Sequence, residues 1–499
     1  MIIRDLIEQR PVDAVALLAP GRPPLTYGAL LSESNEIAGA LSAHGIGAGH
    51  RLAIVLPNGP EMAAAFLGCA NVCTTAPLNP AYREEEFAFY LDDLKARALL
   101  VENRSASPAV AAAQKLGIEI IELLVPDTAP AGYFVLPGAT VKPRFAQGDS
   151  VALVLHTSGT TSRPKIVPLS HDNLIASAMN IIATLKLSPA DRCLNIMPLF
   201  HIHGLVAAVL ASIAAGGTIF CTPGFNALKF FAWIGEATPT WYTAVPTMHQ
   251  AILTRASRNA EIMRSNPLRF IRSSSASLPT PVLAELEAAF ACPVIEAYSM
   301  TEASHQMTSN PLPPGKRKPG HVGMAAGPEV RVMGPEGRLL GPGETGEIVI
   351  RGPSVTRGYE NNPTANAEAF AHDWFHTGDQ GIMDAEGFFR ITGRLKEIIN
   401  RGGEKIAPIE VDEVLMEHPA VLQAVTFATP HAKLGEDVAA AIVLREGAAA
   451  TENELRDFAG AKLADFKVPR RIFIVAEIPK GATGKLQRIG LAQKLGIAQ

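Results

Sequence analysis

Cysteine, charge and long apolar runs are all scarce in this sequence. Five cysteines in 499 residues (Cys69, Cys73, Cys193, Cys221 and Cys292) are too few for a disulfide framework. Cys69 and Cys73 are spaced for one helical face, but no further Cys or His follows at metal-binding spacing; core positions are expected for them. Charged residues make up 18% of the chain, below the roughly 25% of an average soluble protein. The 44 basic side chains against 48 acidic ones leave a net charge of −4, which gives nucleic acid no bulk charge to hold. The most apolar stretch, 205–220, is interrupted by Gly216 and Gly217 and is shorter than the roughly 20 residues of a membrane span. The opening residues lack a basic segment followed by an apolar one. A cytoplasmic protein without a membrane span is expected.

Apolar residues make up 47%, with 42 Gly and 38 Pro, a balance that favours a loop-rich globular enzyme over a helical bundle. The length suits about three to four core-sized units of ~150 residues. Short apolar runs at 52–56, 98–101, 118–123, 151–156, 218–220, 241–245, 268–273 and 294–298 alternate with helical patterns such as 61–67, 172–185 and 281–290. Strands alternating with helices predict parallel sheets covered on both faces. Past Pro311 the texture changes: Gly and Pro cluster at 311–323 and 334–346, with alternating runs at 346–351 and 388–392. That predicts a small antiparallel unit. From Lys396 onward, helical patterns at 410–416 and 452–463 and strand patterns at 422–427, 438–444 and 471–475 predict a separate α+β domain.

The run 151–156 leads into Thr157-Ser158-Gly159-Thr160-Thr161-Ser162-Arg163-Pro164-Lys165. Open α/β sheets bind ligands at the carboxyl ends of their strands. Small hydroxyl side chains and a glycine let backbone N–H groups approach phosphate oxygens, and a lysine adds a mobile charge. The G-x-x-x-x-G-K-[ST] pattern is absent. An ordinary Ser/Thr turn is the alternative. The segment resembles the phosphate loop of the adenylate-forming enzymes: acyl-CoA synthetases, firefly luciferase and the adenylation domains of peptide synthetases. Their usual pattern is T-S-G-T-T-G-x-P-K, and Ser162 stands where it has glycine.

Further motifs of that family match in order along nearly the whole chain. The resemblance implies a large N-terminal domain, 1–395, of two α/β subdomains and a small β-barrel-like subdomain. A small mobile α+β C-terminal domain, 396–499, would follow. It also implies use of ATP, Mg²⁺ and CoA, acting on a small carboxylic acid, by a monomer or homodimer. Thr157, Ser158, Gly159, Thr160, Thr161 and Lys165 would hold phosphates. In Glu296-Ala297-Tyr298-Ser299-Met300-Thr301-Glu302, Thr301 would meet the α-phosphate, Glu302 the metal and Tyr298 the adenine, with Glu296 and Ala297 beside it. Ser275, Ala276 and Ser277 would complete that pocket. A carboxylate beside phosphate suits Mg²⁺, which prefers oxygen ligands; a helix N-cap at Thr301 is the competing reading.

Asp379, in Trp374-Phe375-His376-Thr377-Gly378-Asp379, would accept from the ribose hydroxyls, with Arg394 nearby. A turn residue after Gly378 is its alternative. Lys485, in Pro479-Lys480-Gly481-Ala482-Thr483-Gly484-Lys485, would be the catalytic lysine of the first step. Otherwise it is a solvated lysine in a loop. Gly402, Gly403 and Glu404 would line the CoA pantetheine tunnel, unless they are a plain turn. Lys396 would be the hinge, about which the small domain rotates between half-reactions.

The acid is set by the pocket rather than by the fold. His201 and His203 flank Ile202 and would face one side if that segment were extended. His201 would lie between the ATP and acyl sites, among the catalytic residues with Thr301, Glu302 and Lys485. Arg272-Ser273-Ser274-Ser275-Ala276-Ser277 is serine-rich where many family members carry Gly and Ala, and His305 follows Glu302 closely. A pocket of His201, His203, Ser275 and His305 suits a small acid with a second polar group. A fatty chain would leave each donor unsatisfied, at about 1–3 kcal/mol apiece. The segment 298–320, with the phosphate loop, resembles the oxalate–CoA ligase branch of the family. Alternatives are a coumarate-like or medium-chain acyl-CoA ligase, a loader of carrier proteins, a luciferase-like oxidase and a non-catalytic sensor.

Overall fold

The structure is a computed structural model that describes residues 1–157, 164–481 and 483–496. The expected phosphate contacts of Ser158, Gly159, Thr160 and Thr161 lie outside the described residues.

Two large sheets form the first part of the chain. One has six strands, in spatial order Glu119–Leu123, Ala98–Glu102, Arg51–Val55, Thr74–Pro77, Val151–Thr157 and Lys165–Ser170. All pairs are parallel except the last, an antiparallel hairpin that returns from the phosphate loop. Its strands are near-continuous apolar runs because helices cover both faces. The helix His171–Leu185 starts directly after the hairpin, capped by Ser170, whose hydroxyl accepts from Asn173 N at 3.1 Å. Asn173 in turn donates to the carbonyls of Pro353 and Val355, at 2.7 and 3.1 Å, tying the following segment beneath the hairpin.

The second sheet has nine strands. Its parallel centre is Trp241–Ala244, Phe270–Ser273 and Val294–Met300, beside Arg192–Asn195 and Thr218–Cys221. His305–Ser309 then folds back antiparallel on Val294–Met300. This hairpin sets His305, the first residue of the returning strand, opposite Met300 and near Tyr298, at the carboxyl end of Val294–Met300, where an α/β sheet receives ligands.

The small unit expected to be barrel-like is a four-stranded antiparallel sheet: Glu329–Met333, Thr345–Arg351, Phe375–Met383 and Phe389–Arg394. A single bridge from Phe389 to Gly323 joins it to the second sheet. The last sheet is built from Ile399–Arg401, Glu404–Ile406, Val421–His431, Gly435–Leu444 and Arg471–Ile474, with Pro408–Met416 packed against it. All five cysteines are free and buried. Among the described residues no helix is long and apolar enough to cross a membrane.

Candidate functional site

The segment following His201 departs from the sequence expectation. It is not extended. Ile202 has right-handed helical angles, and His203–Leu210 is a fully buried π-helix. Such turns carry an extra residue per loop and recur at functional sites. The two histidines therefore do not share a face by strand alternation. His203 enters the interior, where Nδ1 meets Ser275 Oγ at 3.0 Å and Nε2 meets Thr243 Oγ1 at 2.6 Å. His201 stays nearer the surface, and its Nδ1 accepts from His203 N at 3.3 Å. Burial and then the neighbouring Lys485 charge hold the His201 imidazole down to about 3.

His305 is fully buried, with its ring 4.8 Å from that of His203. Neither of its ring nitrogens has a partner among the described residues. Ser275, Ser304 and His305 all have left-handed backbones (φ 74°, 53° and 105°), conformations that non-glycine residues hold only where the surroundings enforce them. Strain therefore gathers where His203, Ser275 and His305 converge.

A second cluster lies along the hairpin. Asp379 sits within the strand Phe375–Met383, in register with Arg394, and is not a turn residue. Its Oδ1 accepts from Arg394 Nε at 3.1 Å, and its Oδ2 accepts from the Tyr298 hydroxyl. Thr301 opens a 3-10 turn without capping it by a side chain, so the N-cap reading fails. Glu302 is buried, and Oε1 accepts from the Tyr359 hydroxyl at 2.9 Å. Lys165 Nζ rests 4.3 Å above the Tyr359 ring. Burial raises the Glu302 carboxyl, while Tyr359, Lys165 and Arg394 oppose that rise. One buried carboxylate fits a Mg²⁺ whose remaining ligands are phosphate and water; no cluster of three ligating side chains exists among the described residues.

Lys485 is drawn into this site rather than left in solvent. Burial and then the Arg394 charge press its ammonium down to about 8, against the pull of Asp379 and Glu302. Its loop is moored by Thr247 Oγ1, which donates to Gly484 O, at the start of the helix Pro246–Ala256. Further along that helix, Gln250 Nε2 donates to Leu422 O at 2.8 Å and its Oε1 accepts from Gln423 Nε2 at 3.0 Å.

Other residues expected in the site make bonds of their own or are exposed. The Glu296 carboxyl accepts from Gly320 N at 3.3 Å, and burial pushes it up to about 8. Ala297 offers its carbonyl to Ser274 Oγ, while Ala276 and Ser277 are exposed. Gly402 and Gly403 join Ile399–Arg401 to Glu404–Ile406 with Arg401 opposite Glu404. Both have left-handed φ, as a two-residue hairpin turn requires. In this exposed turn Gly402 N donates to Leu434 O and Gly403 N to Asn400 Oδ1, and Glu404 beside it is exposed. Lys396 lies in the 3-10 turn Leu395–Glu397. Its neighbour Glu397 accepts from Arg488 at 3.1 Å.

Tyr359 has no place in the sequence reading, and Arg272 appears there without a role, as the head of the serine-rich segment. Tyr359 meets Glu302 across 57 residues, a separation that leaves no local pattern. Arg272 did leave a signal: it is a charged residue inside the otherwise apolar start of a central strand, Phe270–Ser273.

The family model described as AMP-binding enzyme matches residues 3–360, and the AMP-binding enzyme C-terminal domain matches 410–485. An oxalate–CoA ligase of Arabidopsis thaliana is 45% identical, over 96% of this chain and 95% of its own length. A sulfoacetate–CoA ligase of Cupriavidus necator is 36% identical, over 94% of this chain and 92% of its own. The ATP-bound structure of MatB from Rhodopseudomonas palustris superposes with a TM-score of 0.89 at 28% identity, covering 99% of both chains. The apo structure of the same protein, with the same identity and coverage, gives 0.80. The arrangement seen here is nearer the ATP-bound form.

Proposed function

We propose, since the chain belongs to the AMP-binding enzyme family and is an AMP-forming acyl-CoA ligase, that its acid is a small dicarboxylate, oxalate. The products are then oxalyl-CoA, AMP and pyrophosphate. The cluster of His203, Ser275 and His305, in which both rings are buried and the His305 ring nitrogens are unpaired among the described residues, carries this reading. A fatty or aromatic tail there would strand each buried donor, at about 1–3 kcal/mol apiece. A second carboxylate would accept from several of them. Supporting chemistry comes from the relatives, since oxalate and sulfoacetate each carry a second anionic group.

In the first step an acid oxygen attacks the α-phosphorus of ATP and pyrophosphate departs. Lys485 stabilises the negative charge that grows there. Asp379 accepts from the ribose hydroxyls, Arg394 steadies it, and Tyr298 packs on the base. Thr301 contacts the α-phosphate, and the loop from Thr157 to Lys165 holds the other phosphates. Bound Mg²⁺, held by Glu302, would neutralise phosphate charge, and Tyr359 fixes the rotamer of that carboxylate. In the second step the CoA sulfur attacks the acyl carbon, loses its proton and displaces AMP. Reorientation about Lys396 brings the Gly402–Gly403–Glu404 turn to the CoA arm.

Acid-dependent AMP release with ATP, Mg²⁺ and CoA tests the substrate, over oxalate, malonate, acetate, hexanoate and 4-coumarate. Oxalate is expected to lead. His305→Ala is expected to lower kcat/KM for oxalate by roughly 30-fold or more, a lost hydrogen bond to a charged group, and that for acetate far less. Equal losses would place His305 outside the acid pocket. A lead for hexanoate or coumarate would overturn the dicarboxylate assignment and keep the ligase chemistry.

The depressed Lys485 ammonium predicts a pH limit. The charge needed for adenylation is present below about pH 8 and is lost above it, so kcat/KM for ATP in pyrophosphate exchange should decline on that alkaline side. A flat profile to pH 10 would show that the lysine titrates normally.

A further inference from the structure

Arg272 is fully buried. Of its three guanidinium nitrogens, Nη2 donates to Gln306 Oε1 at 3.2 Å, and Nε and Nη1 have no partner among the described residues. An arginine fork normally lies in a matching carboxylate when buried. Here its one side-chain partner is the neutral amide of Gln306, and no carboxylate pairs with it among the described residues. Arg272 is in register with Thr243 on the next strand, so the two share a face of the sheet, and Thr243 is bonded to His203. The field of Arg272 reaches both His203 and His305, and after burial it is the largest influence holding each imidazole below its usual range. Ser304, the chain neighbour of His305, also carries a buried hydroxyl without a partner among the described residues. A buried cation without a counter-charge penalises folding. It persists where an anion completes it.

We infer that Arg272 is the charge that selects the acid: it supplies the counter-ion for the second carboxylate, beside the neutral donors His203, Ser275 and His305. This rests on the dicarboxylate reading and adds to it the group that tells a dianion from a monoanion of equal size. The histidines then supply direction, and the arginine supplies the charge.

The test uses oxalate and its amide oxamate, which keeps the shape and drops one charge, in ATP–pyrophosphate exchange on the full-length enzyme. Wild type is expected to prefer oxalate. Arg272→Gln is expected to lower kcat/KM for oxalate roughly 100-fold while that for oxamate stays within about threefold. Arg272→Lys should fall between, retaining part of the preference because it retains the charge. The melting temperature of ligand-free Arg272→Gln should hold or rise, since an uncompensated buried cation is gone. Equal loss on both acids with a lowered melting temperature would make Arg272 structural and overturn the inference. An unchanged oxalate-to-oxamate ratio in Arg272→Gln would assign selection to another group. A wild type that prefers oxamate or other monoanions would instead overturn the dicarboxylate reading, before any variant is compared.

Discussion

Lys485→Ala is expected to lower acid-dependent ATP–pyrophosphate exchange by roughly 10³-fold, the scale of losing a preorganised charge at a reacting phosphate. Conversion of supplied acyl-AMP and CoA to thioester should stay within about threefold of wild type. The asymmetry follows from placement. The ammonium is buried with Arg394, Asp379 and Glu302, all groups assigned to the nucleotide or its metal, and Gly484 ties its loop to Thr247. Once the adenylate exists, the charge has no further bond to assist. Quenched-flow measurement of each half-reaction separates the steps. Equal loss in both would mean that Lys485 holds the two parts of the chain together rather than serving the first step, and the rotation about Lys396 would lose its support.

Gly323→Ala is expected to destabilise the protein by about 4 kcal/mol or more, at the exceptional end of single substitutions. Gly323 has φ +86°, and a Cβ there would stand 1.9 Å from Ser309 C and 2.1 Å from Asn310 N. Those are backbone atoms, which no rotamer change can move aside. They end the strand His305–Ser309, so the displacement would be passed to His305. Gly343→Ala is the control: its φ is +83°, but nothing lies within 4 Å of the added atom. It should cost only about 1 kcal/mol of backbone strain. Urea midpoints for the pair, with oxalate kcat/KM, check this. Comparable midpoints would refute the steric account.

The sequence carried much of the architecture because each large element has a strong local signature. The apolar run at Val151–Thr157 followed by hydroxyl residues, and the alternating texture past Pro311, both became sheets at the expected places. Asp379, Arg394 and Tyr298 could be singled out because each sits in a short contiguous motif, although the bonds joining them span 15 and 81 residues. Lys485 is different. Nothing local distinguishes it from a solvated lysine; its burial comes from a loop held against another part of the chain, with Gly484 bonded to Thr247. The error over His201 and His203 has a specific cause. A π-helix has no periodicity to read in a segment where every residue after His203 is apolar and buried, so an extended segment was equally consistent with the string. Tyr359 was invisible because its role depends on a partner in another part of the chain. Arg272 was visible as an oddity, but a single charge in an apolar strand does not say whether its counter-charge belongs to the protein or to the ligand.

The π-helix His203–Leu210 also places an unusual demand on variation in this segment. Its hydrogen-bond loops enclose one residue more than those of the α-helix Ala211–Ala215 that continues it. Removing any single residue between Gly204 and Leu210 would let the segment relax into a regular α-helix. The chain before the deletion would then turn by about 100° relative to the chain after it, and His203 would swing away from Ser275 and Thr243. Exchanging one apolar side chain for another of similar volume has no such effect. Here the count of residues is constrained more tightly than their identity.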